Sequence, residues 1–166
     1  EQNGNYRATL QGVIEHKSTQ AELDELIIRL GTLGFYYQVM DQAEFEQLST
    51  DEGAVNQLFH ELARKRLSTW VDLAEDRLNG TGIKCFVTGG NDDDEEVLTA
   101  IKRENTNSLF ACEGEVVYVD DEHTMVSMGY STLTPWKTPR EVTDEKLGEM
   151  LEQMISKVPD PSHAIF

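Results

Sequence analysis

The sequence predicts an α/β fold. Short apolar, β-branched segments alternate with longer stretches whose apolar residues recur at spacings of three and four, and Gly- and Asn-rich turns punctuate the alternation. The composition, 39% hydrophobic and 27% charged, is that of a chain able to bury a core.

From Tyr6 to His16 polar and apolar residues alternate around Ala8, Leu10 and Val13, and Ser18-Thr19 can cap the next element, so a strand is expected to enter a helix. Leu23, Leu26, Ile27 and Leu30 mark one face of a helix over 20–33, with Gly31 and Gly34 closing it. Phe35 to Met40 has the aromatic and β-branched content of a strand. Residues 1–40 therefore read as a small N-terminal β-α-β excursion, and 41–166 as the core portion of one domain.

Asp41 caps a helix through about Leu48, and the run 49–53 interrupts the pattern and restarts it. Val55, Leu58, Phe59, Leu62, Leu67, Trp70, Val71, Leu73, Ala74 and Leu78 continue on helical spacing to Asn79-Gly80, which predicts one long helix with Trp70 in the core. Lys84 to Thr88 reads as a strand, 89–94 as a glycine turn, and 95–103 as a helix with an acidic start. Val116 to Val119 and Met125 to Gly129 flank a turn and predict a β-hairpin. The segment 130–140 holds two of the four prolines and is expected to be irregular. A last helix over 142–157 starts at the Thr143 cap, and Ala164-Ile165-Phe166 resembles the start of a buried strand.

Lys and Arg number 14 and Asp and Glu 31, for a net charge of −17. Such a field repels nucleic-acid backbones and anionic lipid, so neither a nucleic-acid scaffold nor a membrane is an expected partner. No run approaches the roughly 18 apolar residues of a membrane span, and the expected compartment is the cytoplasm. Cys85 and Cys112 lack metal-ligand spacing and read as buried thiols. The acidic residues 92–96 do not match the alternate-ligand spacing of a calcium-binding EF-hand loop.

Gly89-Gly90-Asn91-Asp92-Asp93 follows a predicted strand, at the edge where ligands gather in α/β sheets. An Asn there offers a neutral amide oxygen to a cation and an NH2 to a phosphate oxygen. The plainer reading is that Asp92, Asp93 and Asp94 cap the succeeding helix.

Phe86-Val87-Thr88-Gly89-Gly90-Asn91-Asp92-Asp93 resembles the Gly-Asn-(His)-Asp signature of the calcineurin-like metallophosphoesterases. The stretch Gly129-Tyr130-Ser131-Thr132-Leu133-Thr134-Pro135-Trp136-Lys137-Thr138-Pro139-Arg140-Glu141 is similar to one in a bacterial and archaeal branch of that family. The resemblance implies a four-layer αββα sandwich and two divalent metal ions of the Mn, Fe, Zn or Mg class, acting on a small-molecule phosphomonoester or phosphodiester. It makes Asn91 a metal ligand and puts Asp92 at the catalytic position beside the leaving group, where the family often has His. The family's Asp-x-His, Gly-Asp and Gly-His-x-His motifs have no counterpart in the order the family requires. The chain thus reads as the internal part of such an enzyme, inactive alone. A non-catalytic acidic interaction domain is the alternative. His16, His60 and His163 read as structural or solvated residues, and Trp136 as a cap on a core edge.

Overall fold

Gln11 and Gly12 both adopt positive φ, 50° and 80°, as the two central residues of a type I′ hairpin turn do. They fold the first alternating segment back on itself as β1 (Tyr6–Leu10) and β2 (Val13–Lys17), antiparallel, with Leu10 opposite Val13 and Tyr6 opposite Lys17. The structure, a computed structural model, describes residues 5–166. It is a mixed α/β chain that divides into two compact units, Glu1–Leu62 and Ala63–Phe166.

The hairpin corrects the predicted β-α-β excursion. Helix α1 (Gln20–Thr32) is present, with Thr19 and Glu22 forming a reciprocal capping box and with Leu23 and Leu26 buried. Residues 35–40, however, form no strand. Strand character in that sequence is overridden because β1 and β2 pair with each other and the segment forms no ladder with either. Tyr36 instead packs edge-on against Phe59, with ring centroids 5.5 Å apart. Helix α2 (Gln42–Ser49) starts at the expected Asp41 cap, with Glu44 completing the box, and α3 (Glu52–Leu78) begins after the break at Thr50-Asp51.

In the second unit the core forms around Val71 of α3, which is buried with Leu98, Ile101 and Leu109, while Leu67, Ala74, Val87 and Ala111 pack around them. Strand β3 (Cys85–Val87) runs parallel to β4 (Leu109–Ala111). The Glu75 carboxylate on α3 accepts the backbone N–H groups of Asn107, Ser108 and Leu109, which fastens the approach to β4 onto the helix. Helix α4 (Glu95–Leu98) is shorter than the expected 95–103. It gives way to tight turns in which Ala100 and Ile101 donate to Val97 and Leu98 three residues back, and both side chains are buried.

The predicted hairpin forms as β5 (Val117–Tyr118) and β6 (Thr124–Met125). Strands β7 (Ser131–Thr132) and β8 (Glu141–Val142) pair in parallel and give the stretch expected to be irregular a short ordered base. Helix α5 (Asp144–Ile155) begins at the predicted Thr143 cap, and β9 (Ala164–Ile165) joins β6 in parallel. A second core gathers Val126, Met154 and Val158 with Val116, Met128 and Ala164.

Cys112 is buried and Cys85 half-buried, both as free thiols. Trp70 is exposed rather than in the core, because α3 turns Val71, and not its neighbour, inward. Among the described residues no helix is long and apolar enough to cross a membrane.

Candidate functional site

The turn Gly89-Gly90-Asn91 leaves the carboxyl end of β3, and both of its glycines have ordinary φ. Gly89 is required by space instead: a Cβ there would lie 2.4 Å from a Leu98 methyl and 2.7 Å from the Arg140 guanidinium. Gly129, at the head of the second motif, is crowded against the same point, since its Cβ would stand 2.1 Å from the Gly89 carbonyl oxygen. The two motifs are therefore in backbone contact.

Arg140 holds them there. It is 2% exposed, its Nη1 donates to the Gly90 carbonyl at 3.1 Å, its Nη2 bonds the Glu113 carboxylate, and its guanidinium lies 4.5 Å above the Tyr130 ring. Glu113 also accepts the Gly129 N–H at 2.9 Å, and the Arg140 N–H donates to the Asn91 carbonyl at 3.1 Å. Tyr130 donates its hydroxyl to Glu95 at 2.6 Å, and that carboxylate pushes the phenol pKa up. Arg140 Nε is buried without a hydrogen bond, 3.8 Å from the same Glu95 oxygen.

Around this anchor the loop 133–140 winds about one carboxylate. Glu141 accepts from the backbone N–H groups of Thr134 and Thr138, both at 2.9 Å, and from both threonine hydroxyls, Thr138 Oγ1 at 2.8 Å. These donors, the Thr134 hydroxyl first, hold its pKa down to about 2. An ionised carboxylate only accepts, so the single Thr138 hydroxyl proton is committed to Glu141. Toward Asn91, 3.0 Å away, Thr138 Oγ1 can then act only as acceptor, and the Asn91 group facing it must be Nδ2. The amide orientation is thus set by chemistry, and Oδ1 is left with no hydrogen bond from any described residue.

No family model, no curated protein and no solved structure matches the chain.

The structure brings Asn91 into contact with the second motif but does not do the same for Asp92. Asp92 is exposed and takes no hydrogen bond from a described residue, Asp93 accepts the Gly90 N–H at 2.7 Å, and Asp94 caps α4. The plainer reading, that these aspartates cap the helix, holds for Asp94 alone, since Asp93 bonds back into the turn. Within the second unit, no three described His, Cys, Asp or Glu side chains converge on one ion-sized space. One neutral amide oxygen does not hold a pair of divalent ions, so the residues present do not by themselves fit the two-metal centre that the resemblance implies.

Trp136 is not the cap on a core edge that its neighbours suggest; it is 81% exposed at the loop tip. Sequence reasoning missed Thr138, Arg140, Glu141 and Glu113. The available signal was Thr134-x-x-x-Thr138-x-x-Glu141, two hydroxyls spaced to wrap one carboxylate, within a stretch too proline-rich for a regular element.

Proposed function

We propose that this chain supplies part of a metal-dependent phosphoesterase of the αββα kind, hydrolysing phosphomonoesters or phosphodiesters, with Asn91 Oδ1 as its contribution to an ion. The observation that carries the reading is the Glu141–Thr138–Asn91 relay. It uses a half-buried framework to present one amide oxygen, unpartnered among the described residues, at the carboxyl end of a parallel strand. The chain's own residues orient that oxygen, and Arg140 ties the turn to the loop; Asp92, exposed, follows Asn91 in the same turn.

The test is a Mn2+ titration of the full chain, followed by paramagnetic broadening in NMR spectra, with an Asn91→Ala variant and an aryl phosphodiester turnover assay beside it. Weak binding that broadens the Asn91 side-chain amide, is lost in Asn91→Ala and supports no turnover is the expected result. Broadening spread over the acidic surface and unchanged by Asn91→Ala would refute the site.

The second reading, an acidic domain for a basic partner, is favoured by the net charge of −17. It predicts salt-sensitive binding to a basic polypeptide that Asn91→Ala leaves intact.

A further inference from the structure

The same turn occurs twice in the second unit, and the two copies lie side by side. Asp120-Asp121-Glu122-His123 leads into β6 and Asp160-Pro161-Ser162-His163 into β9. In each, the aspartate Oδ1 accepts the N–H two residues on, at 2.9 Å, and the carboxylate meets Nδ1 of the histidine three residues on. Those contacts are 2.9 and 3.0 Å for Asp120–His123 and 2.8 Å for Asp160–His163. The parallel register Thr124 opposite Ala164 then makes the two histidines cross-strand neighbours, with ring centroids 6.0 Å apart at 66°.

We propose that His123 and His163 form a two-imidazole site for a borderline divalent cation of the zinc or nickel class. Each Nδ1 faces a carboxylate, so Nδ1 carries the proton and the lone pair of the neutral ring is on Nε2. No described residue hydrogen-bonds either Nε2. A carboxylate behind the far nitrogen is the arrangement that orients metal-binding histidines and raises their basicity. An ion about 2.0–2.1 Å from each Nε2 sets tetrahedral imidazole centroids roughly 5 Å apart, within about 1 Å of the spacing present. Both side chains are partly exposed, so water fills the remaining positions. The site uses none of the residues of the phosphoesterase reading and stands apart from it.

The experiment is a Zn2+ titration of the full chain, read by calorimetry and by histidine-ring 15N NMR. The Nε2 signals of His123 and His163 should shift together at one equivalent. His123→Ala or His163→Ala should each weaken binding about 10-fold or more, and Asp120→Asn or Asp160→Asn by about 10–100-fold, while His16→Ala changes nothing. Should a variant disturb its turn, His163→Gln, which retains a donor for Asp160, carries the same expectation. Binding that survives loss of either histidine, or a shift at one ring alone, overturns the site.

Discussion

Glu141 shows how much one charged residue can organise when every donor around it belongs to the same loop. Its folded-state pKa, about 2, lies below the ordinary 4.5. Its stabilising contribution is therefore present in full above the ordinary value and lost as pH falls toward 2. Urea midpoints measured from pH 6 downward should drop less steeply in Glu141→Gln than in the parent; equal slopes would mean that the carboxylate contributes nothing. In the same variant the Thr138 proton is no longer committed, so the Asn91 side-chain amide should sample both orientations and its NH2 signals should shift or double. Arg140 is the more expensive residue to lose. Replacing this buried guanidinium with Met leaves Glu113 without its cation and the Gly90 carbonyl without its donor, and should cost about 3–5 kcal/mol in chemical denaturation. A loss below about 1 kcal/mol would show that the pair is not what holds the turns together.

Among the elements, those with local chemistry were legible in the sequence. The caps at Thr19, Asp41 and Thr143, the break between α2 and α3, and the β5–β6 hairpin all form from short-range signals. The β1–β2 hairpin was not legible, because its turn places Gln11 where Asn is the usual residue, and a continuous alternation then reads as one long strand. Gly12→Ala tests that turn: at φ 80° a Cβ costs about 1–2 kcal/mol, and thermal melting should register the loss. The 35–40 segment fails for the opposite reason, having strand propensity without a strand partner. At the candidate site Asn91 was legible as a turn residue at a strand end, whereas Thr138 and Glu141 were not. The clasp of Glu141 on Thr134 and Thr138 has a local spacing that could have been read, but its link to Asn91 is a contact across 47 residues that no local pattern encodes.

Across the whole molecule the dominant quantity is charge. With 31 acidic and 14 basic residues, unpaired carboxylates repel one another throughout the chain at neutral pH. Salt shortens the reach of that repulsion, to about 10 Å at 0.1 M, so the urea midpoint should rise from low to moderate NaCl. A falling midpoint would show that ion pairs such as Arg140–Glu113 and Arg103–Asp72 outweigh the net charge. The same excess of negative charge concentrates cations near the surface, which favours occupancy of any site that offers neutral oxygen or nitrogen ligands.

Strands β7 and β8 run parallel although only residues 133–140 connect them, a link shorter than the dozen or so that parallel neighbours ordinarily need. Glu141 makes this feasible by gripping Thr134 and Thr138 from within, so the ring is closed at those two threonines and Pro135, Trp136 and Lys137 stand outside the closure. Pro135 and Trp136 are positions whose side chains can be rewritten, and chemical variety selected at the tip, without disturbing the clasp beneath, whereas Lys137, at φ 53°, is confined to residues that tolerate the left-handed region.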